Sequence, residues 1–323
     1  MTLDTSNRSS ISVFNLLVFG GMSGAGLFSA QYFGQKNHNG VRNVFRMKIL
    51  IGITIIAISI SVMIFLHEPL INMFLHEGSS SGNIQETFNY AKNYLYIMVI
   101  GIAPFVISNC YNTTLKESGQ TVVPMKAGVL AVVFDIVLNY IFIFGKLGFP
   151  AMGVVGAAIA TVISRFVECG YLVIYTHIHS NDYPFIKYCY RTLKVPGSLV
   201  KKIIVTGAPL MLNEFLWAGG LTLQTQALST KGLATVGGLN ICNTIGNISN
   251  CIFVTMGTTI AIVVGQLLGA GKLKEAKVTA TRMATFSLLI SFVMIIILGL
   301  LGPVFPYFYN TTDEIRQLAT KFI

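Results

Sequence analysis

The chain has 323 residues, of which 53% are hydrophobic and only 11% are charged, and this excludes an ordinary soluble domain with about a quarter of its residues charged. Its net charge of +10 does not indicate nucleic-acid binding, because the basic residues lie in short loops between apolar runs. The five cysteines are scattered and lack metal-ligand spacing, so they predict no disulfide framework. We therefore expect an all-α polytopic membrane protein that is not an enzyme and carries no signal peptide.

Eight apolar runs are long enough to cross a bilayer, and a ninth begins near the end of the sequence. The prediction is eight full transmembrane helices plus a partial ninth. In chain order the runs occupy residues 9–35, 49–66, 93–115, 127–145, 151–175, 203–230, 232–271 and 283–312, and the ninth starts at residue 314.

The basic residues alternate between loops, which predicts the orientation of the chain. Fifteen of the 22 lysines and arginines follow the first, third, fifth and seventh runs. The positive-inside rule places these loops in the cytoplasm. They are Lys36, Arg42, Arg46 and Lys48, then Lys116 and Lys126, then Lys187, Arg191, Lys194, Lys201 and Lys202, and finally Lys272, Lys274, Lys277 and Arg282.

An internal repeat predicts two pseudo-symmetric helix bundles. The segment LFSAQYFG (27–34) matches IVVGQLLG (262–269), and ETFNYAKNYL (86–95) matches EIRQLATKFI (314–323). The repeat recurs after six spans, and an even number gives both halves the same orientation in the membrane. We expect a first lobe at 1–195 that lacks its first helix, and a second lobe at 196–323 that stops within its fourth. The pattern predicts a twelve-helix transporter of about 460 residues, with this chain as its middle.

Glu214 is the only charged residue in the run 203–230 and lies close to its middle. A carboxylate at the centre of a membrane helix costs roughly 2.5–3.5 kcal/mol, and acids retained there usually handle protons or ions. A structural hydrogen bond to a neighbouring helix is the alternative. Gly207 and Pro209 precede the acid and weaken the backbone ladder beside it.

Further polar residues lie inside other apolar runs. Asp135 and Asn139 are one helical turn apart, and Asp135 needs a partner from another helix, for which Tyr94 and Tyr96 are candidates unless they are interfacial. Arg165 and Glu168 are three apart and predict an internal ion pair. Four asparagines have the spacing of one helix face, namely Asn240, Asn243, Asn247 and Asn250. They either line a cavity or pack between helices.

Several segments resemble the multidrug and toxin extrusion (MATE) family of cation-coupled antiporters, in family order over almost the whole chain. They are GMSGAGLFSAQYFGQ (21–35), LKESGQTVVPM (115–125), VLNYIFIFGKLGFPAMGVVGAAIATVISR (137–165), GAPLMLNEFLWAGG (207–220) and VGQLLGAGKLKEA (264–276). The resemblance implies two six-helix lobes around a central cavity. It also implies export of amphipathic or cationic drugs in exchange for sodium ions or protons.

The resemblance also assigns candidate site residues. Glu214 occupies the position of a cation-binding acid in the second lobe, where a sodium ion is one candidate ligand. Asp135 and Asn139 reverse the order of an Asn–Asp pair in the first-lobe cation network of some members. Thr161 of the fifth run is a further candidate for cation coupling. The residues expected to line the cavity are Asn213, Asn240, Asn243, Asn247, Asn250 and Tyr94.

The expected partners are small-molecule drugs or organic cations and the lipid bilayer, with no cofactor beyond the coupling ion. We expect a monomer in the bacterial cytoplasmic membrane. A lipid-linked oligosaccharide flippase of related fold is the nearest alternative, but only Arg165 lies deep in a span, whereas a diphosphate needs several cations. A channel and an inactive transporter fragment are further alternatives.

Overall fold

The computed structural model describes residues 20–65, 84–229, 233–309 and 311–322. Within these ranges the chain is helical and contains no β-strand, which confirms the all-α prediction. Two short 3₁₀ turns lie at Cys189–Arg191 and Phe305–Phe308. The helices are α1 (20–34), α2 (His38–Phe65), α3 (Ile84–Ile100), α4 (Ile102–Glu117), α5 (Val122–Phe144), α6 (Gly153–Ile178), α7 (Gly197–Ser229), α8 (Leu233–Gly269), α9 (Leu273–Leu301) and α10 (Asp313–Phe322).

Five helices of the described chain are long and apolar enough to cross a membrane, and the bent pair of α3 and α4 makes a sixth candidate. These spans confirm a multi-pass membrane protein. The predicted first span begins before the described residues. Helix α7 has 33 residues but is not among the five, because Pro209, Asn213 and Glu214 lower its hydropathy. The five are α2, α5, α6, residues Gly237–Gly269 of α8, and α9.

The third apolar run, predicted as one transmembrane helix, is bent between two helical segments. Helices α3 and α4 meet at Gly101 with a bend of 42°. Pro104, the third residue of α4, has no N–H for the carbonyl of Ile100, and its ring clashes with that carbonyl. The backbone therefore turns at Gly101, whose N–H bonds the carbonyl of Met98 at 3.0 Å.

The chain divides into two compact units, Met1–Phe215 and Leu216–Ile323, with the division inside α7. In the first unit, α6 packs against α3, α4 and α5, while α2 packs against α4. The main core cluster of this unit joins residues of α1 to α6, including the fully buried Phe45, Tyr111 and Leu172. The lobe boundary predicted at residues 195–196 stays a prediction.

Helices α1 and α7 approach each other through two glycines. A Cβ atom added to Gly24 would lie 2.5 Å from the Cα atom of Gly207, so the two backbones are in direct contact there. A second core cluster joins the same helices to α2 through Ala25, Val44 and Ile203. Small residues therefore permit the close packing that places the middle of α7 beside α1.

Three basic residues predicted in the first cytoplasmic loop lie inside α2 instead. Arg42 and Arg46 are one turn apart, and their guanidinium groups bind the segment that follows α6. The third, Lys48, is buried and is described below. The carbonyl oxygens that accept from Arg42 and Arg46 at 2.8–3.3 Å are those of Pro184, Phe185, Tyr188 and Cys189.

The second unit is organised around α8, which packs against α9 and α10. Gly237 and Gly238 of α8 lie against Ile315 and Leu318 of α10, where added Cβ atoms would meet side-chain carbons at 3.1–3.2 Å. Two adjacent glycines thus let the short, amphipathic α10 lie along α8.

Candidate ion-coupling site

Glu214 lies on the first-unit part of α7 and is half-buried against α1. Its Cγ atom is 3.4 Å from the position that a Cβ atom on Gly20 would take, so the side chain of Glu214 lies beside α1 at Gly20. Within the described residues no basic side chain forms an ion pair with Glu214. The side chain therefore faces protein on one side, and the part of the chain that the structure describes supplies no counter-ion for its carboxylate.

Helix α7 continues through Pro209 from Gly197 to Ser229. The proline cannot donate a backbone hydrogen bond, so the ladder loses one bond just over one turn before Glu214. Asn213, next to the acid in sequence, is exposed. A carboxylate and an amide therefore lie in the middle of an apolar helix, close to a point where the backbone lacks a hydrogen bond.

A hydrogen bond joins Asp135 and Asn139 of α5, so Asp135 has a partner on its own helix, while the expected partner from another helix stays a prediction. The amide nitrogen of Asn139 donates to Oδ2 of Asp135 at 3.0 Å. The other carboxylate oxygen, Oδ1, is buried and has no hydrogen-bond partner. One oxygen of Asp135 is thus oriented by Asn139, while the other is available to a proton or a cation.

Asp135 lies at about the same depth as Thr161 of the neighbouring helix α6. The two helices run antiparallel and are in register where the N–H of Met152 donates to the carbonyl of Phe142 at 2.9 Å and Gly156 contacts the same residue. Because each residue rises about 1.5 Å along a helix, Asp135 lies about 10 Å beyond that point, near the level of Thr161. The predicted residues Asp135, Asn139 and Thr161 therefore lie within about two helical turns of one another along the α5–α6 pair, and their joint role stays a prediction.

Arg165 does not form the predicted direct ion pair with Glu168. One guanidinium nitrogen donates to the carbonyl of Gly101 at 3.4 Å, and the group lies 4.7 Å from the ring centroid of Phe105. The break between α3 and α4 provides these two neutral partners, which draw the side chain away from its neighbour on α6. The attraction to Glu168 remains as a longer-range electrostatic interaction, and Asp135 interacts with Arg165 in the same way.

Glu168 is half-buried between α6 and α4. It lies close enough to Asn112 and Lys116, which are one turn apart on α4, for an electrostatic interaction with each. The carbonyl oxygen of the Asn112 side chain is itself buried without a partner. Sequence spacing linked Glu168 only to Arg165 and missed both partners on α4, because the contact joins residues more than 50 positions apart.

Tyr94 of α3 packs against Met98, Ala158 and Val162 and interacts electrostatically with Arg165. It thus lies on the α6 side of its helix, close to the charged group that also interacts with Asp135. Tyr96 is exposed, with the ammonium group of Lys92 5.8 Å from its ring centroid. The predicted role of Tyr94 in lining a cavity stays a prediction.

The asparagines of α8 share one side of a continuous helix, as their spacing predicts. Asn243 and Asn247 are exposed, whereas Asn240 and Asn250 are half-buried. The buried positions alternate with them at helical spacing and are Ile241, Ile245 and Ser249. The apolar residues therefore supply the packing of α8, and the amides are left available to a ligand or to another helix.

The most buried charged pair of the described chain, Lys48–Glu117, was missed by the sequence reasoning. The ammonium group of Lys48 lies 2.6–2.7 Å from both oxygens of Glu117 and also donates to Thr113 at 2.9 Å and Thr114 at 3.3 Å. Lys48 is fully buried, and 7% of the Glu117 side chain is exposed. Lys48 is thus a residue of α2 and not of the predicted loop. Besides Arg165, it is a second basic side chain buried within the described helices.

A signal for this pair was present in the sequence. Lys48 falls on the buried stripe of α2, which recurs every three or four residues, and a lysine on such a stripe needs an acidic partner. The stripe comprises Val41, Val44, Phe45, Lys48, Gly52, Ile55, Ser59 and Met63.

The described residues contain no group of three or more His, Cys, Asp or Glu side chains able to hold a metal ion. Two carboxylates of the apolar helices remain open to a ligand within the described residues, namely Asp135 with its buried Oδ1 atom and Glu214, which has no basic partner there.

The sequence is similar to curated bacterial transporters. It is 26% identical over 315 residues to the "Probable multidrug resistance protein NorM" of Halalkalibacterium halodurans, a match that covers 95% of this chain and 66% of that protein. The protein of the same name from Thermotoga maritima is 27% identical over 314 residues, with 96% and 65% covered. The chain thus spans slightly less than two thirds of the length of these relatives.

The fold is similar to solved transporters at low sequence identity. A MOP superfamily transporter from Pyrococcus furiosus superposes with a TM-score of 0.82 at 20% identity, covering 100% of this chain and 69% of that one. An outward-facing multidrug resistance MATE family transporter gives a TM-score of 0.81 at 19% identity, with 99% and 69% covered.

The family is established by a direct match to its sequence model. The MatE model matches residues 7–141 and 209–323, which together make up more than half of the chain. These ranges contain Glu214, Asp135, Asn139 and the asparagines of α8. The chain therefore belongs to the MatE family of membrane transporters.

Proposed function

We propose that the protein is an antiporter that exports amphipathic or cationic small molecules across the bacterial cytoplasmic membrane in exchange for sodium ions or protons. The names of the curated relatives support multidrug efflux. The observation that carries the proposal is the position of Glu214. It is an acid in the middle of an apolar helix, half-buried against Gly20 and not paired with a base in the described chain.

The chemistry of such an acid favours exchange. Ionised and without a counter-ion, a carboxylate at this depth costs roughly 2.5–3.5 kcal/mol, and either a proton, a sodium ion or a cationic substrate relieves that cost. The ligands therefore compete for one negative charge. The pump works if the coupling ion and the drug each bind better to a different orientation of the transporter.

Asp135 is the second carboxylate in the proposal. Its Oδ2 atom is held by Asn139, and its buried Oδ1 atom is free to bind a proton or a cation. Thr161, at about the same depth on α6, adds a hydroxyl oxygen to this region. We expect this part of the first unit to bind a coupling ion, with Tyr94 close by.

The test is ethidium transport into everted membrane vesicles that contain the protein, where export from the cytoplasmic side is measured as uptake into the lumen. Glu214→Gln keeps the size of the side chain but removes the charge, and we expect gradient-driven transport to fall by about tenfold or more. Glu275→Gln is the matched control, because Glu275 is an exposed carboxylate paired only with Lys272. Undiminished efflux in Glu214→Gln, at equal abundance in the membrane, would refute the assignment.

The same vesicles separate the two coupling ions. A sodium gradient at clamped pH and a pH gradient without sodium are imposed in turn, and the one that drives efflux identifies the ion. If neither gradient drives efflux in the wild type, the antiport proposal fails as a whole.

A further inference from the structure

The segment that joins α6 to α7, residues 179–196, is fastened to one end of the helix bundle. Arg42 and Arg46 of α2 donate to four of its backbone carbonyls. The hydroxyl groups of Tyr190 and of Tyr111 on α4 share a hydrogen bond. Helix α6 is long enough to cross the hydrocarbon core of a bilayer. A segment that folds back over the end of this helix therefore lies at the level of the lipid headgroups.

The segment has one face toward the bundle and one face toward its surroundings. The buried face belongs to the main core cluster and consists of Tyr183, Phe185, Ile186 and Cys189. The exposed face carries a set of side chains that we call the basic–aromatic patch, and they are Lys187, Tyr188, Tyr190, Arg191 and Lys194. The contacts of the buried face thus fix the direction in which the patch points.

The positive charge of the patch is not balanced by acids nearby in the sequence. No aspartate or glutamate occurs between Asp182 and Glu214, whereas five lysines and arginines do. Lys187 donates to the side-chain oxygen of Asn181 at 2.6 Å, which is a neutral partner. The arginines of α2 beneath the segment also bind neutral oxygens, from its backbone and from two asparagines. The patch therefore retains its charge and attracts anions.

Two tyrosines give the patch an apolar component. The exposed fraction is 71% for Tyr188 and 53% for Tyr190, whose ring stacks on His177 with the centroids 5.8 Å apart. Tyr188 has a left-handed φ of 60°, which is uncommon for a bulky residue, and the bond from Arg46 to its carbonyl supports this conformation. Tyrosine rings with a polar hydroxyl are typical of the interface between membrane and water.

We propose that the basic–aromatic patch binds the headgroups of anionic phospholipids in the leaflet on the predicted cytoplasmic side. Lys187, Arg191 and Lys194 pair with phosphate oxygens, and the tyrosine rings lie at the headgroup level. The apolar rings favour a lipid over a soluble anion, because a soluble anion offers no hydrocarbon to them. The proposal goes beyond ion coupling, since no residue of the patch belongs to the candidate ion-coupling site.

The start of α9 provides a matched comparison within the same chain. Lys272, Lys274 and Lys277 are exposed and are predicted on the same side of the membrane. However, Glu275 forms an ion pair with Lys272 at 3.0 Å, and residues 254–285 contain no aromatic side chain. This second set has the same number of basic residues as the patch but lacks its tyrosines and its freedom from acids.

The experiment measures which lipid lies beside the patch in the whole protein, reconstituted in bilayers. Tyr188→Trp provides a fluorescent reporter in a Trp217→Phe background, because Trp217 is the single tryptophan of the chain. Quenching by brominated phosphatidylglycerol and by brominated phosphatidylcholine gives their relative binding constant. We expect a preference of about fivefold or more for phosphatidylglycerol, and this preference should fall at high salt.

The decisive variants remove three charges at a time. The triple change Lys187→Gln, Arg191→Gln and Lys194→Gln is expected to reduce the preference to about one, because each basic residue contributes at an anionic surface. The triple change Lys272→Gln, Lys274→Gln and Lys277→Gln is expected to leave it within about twofold of the unchanged reporter protein, because these charges do not belong to the patch. Exposed side chains are changed in both variants, so both should fold.

Four results would overturn the inference. If neither brominated lipid quenches the reporter, the patch does not contact the bilayer. If the two lipids quench equally at low salt, it has no preference for anionic headgroups. An equal loss of preference in both triple variants would assign the effect to general surface charge. Abolition of the preference by inorganic phosphate at constant ionic strength would identify a site for a soluble anion instead.

Discussion

Two charged clusters in the first unit differ in how completely their hydrogen bonds and charges are satisfied. In the first, Lys48 and Glu117 form a direct pair at 2.6–2.7 Å, and two threonine hydroxyls accept from the ammonium group. In the second, Arg165 has neutral contacts only, and Asp135 retains a buried oxygen without a partner. The first cluster is closed to further ligands, whereas the second has free binding capacity.

The difference separates structure from function. A closed pair offers no free atom to a further ligand, and removal of either member destabilises the protein. In an open cluster the unsatisfied polar groups carry a free-energy cost. A ligand that satisfies these groups removes the cost and therefore binds more tightly. We therefore expect variants of Lys48–Glu117 to alter folding, and variants around Asp135 to alter ion dependence while folding is retained.

The largest effect is expected for Glu117→Gln. The change leaves the fully buried ammonium of Lys48 without its counter-ion, and such losses cost about 3–5 kcal/mol. Thermal unfolding of the detergent-purified protein, followed by fluorescence-detected gel filtration, measures it. Glu168→Gln is the matched control, because it is the same chemical change in the open cluster, and we expect a clearly smaller loss. Equal losses in the two variants would remove the distinction between the clusters.

The closed pair also explains which parts of the structure were predictable from sequence. Hydropathy and loop charge predicted helices, a multi-pass protein and candidate acids, because each of these depends on residues close together in the chain. Lys48 was placed in a loop because a basic residue before an apolar run usually lies there. Its partner is 69 positions away, and only the three-dimensional packing of α2 on α4 joins them.

The open cluster was predicted in part. The one-turn spacing places Asp135 and Asn139 on one side of α5, but the sequence indicated a partner for Asp135 on another helix rather than the bond to Asn139. The same logic fails for Arg165 and Glu168, because the break at Gly101 offers Arg165 a carbonyl and an aromatic ring that spacing on α6 cannot reveal. Pro104 indicates that break in the sequence. The sequence does not indicate that the break supplies partners to Arg165 on another helix.

The next largest effect is expected for Gly26→Ala. A Cβ atom at this position would overlap Oε1 of Glu117, so the carboxylate must move away from Lys48. Overpacking of this kind typically costs about 1–3 kcal/mol. Gly170→Ala is the control, because a Cβ atom there meets nothing within 4 Å. If both alanine variants unfold at the wild-type temperature, the carboxylate of Glu117 has more freedom than the closed pair allows.

A smaller effect on folding, with a clear effect on transport, is expected for Asp135→Asn. The amide still fits the hydrogen bond with Asn139, so stability should stay within about 1 kcal/mol of the wild type. The loss of charge is expected to lower gradient-driven ethidium efflux about tenfold. Asn139→Ala, which leaves the carboxylate in place, should retain more transport. A variant Asp135→Asn that unfolds like Glu117→Gln would instead make Asp135 part of the structural core.

The smallest effect is expected for the exposed pair Lys272–Glu275, which provides the lower limit of the comparison. Its atoms are 3.0 Å apart, close to the separation in the buried pair, but more than half of each side chain is exposed. Solvent and salt screen such a pair, so Glu275→Gln should change stability by about 0.5 kcal/mol or less. Thermal unfolding at low and high salt tests this, with Glu117→Gln measured in parallel. A loss comparable to that of Glu117→Gln would mean that burial does not set the strength of these pairs, and the separation of closed from open clusters would lose its physical basis.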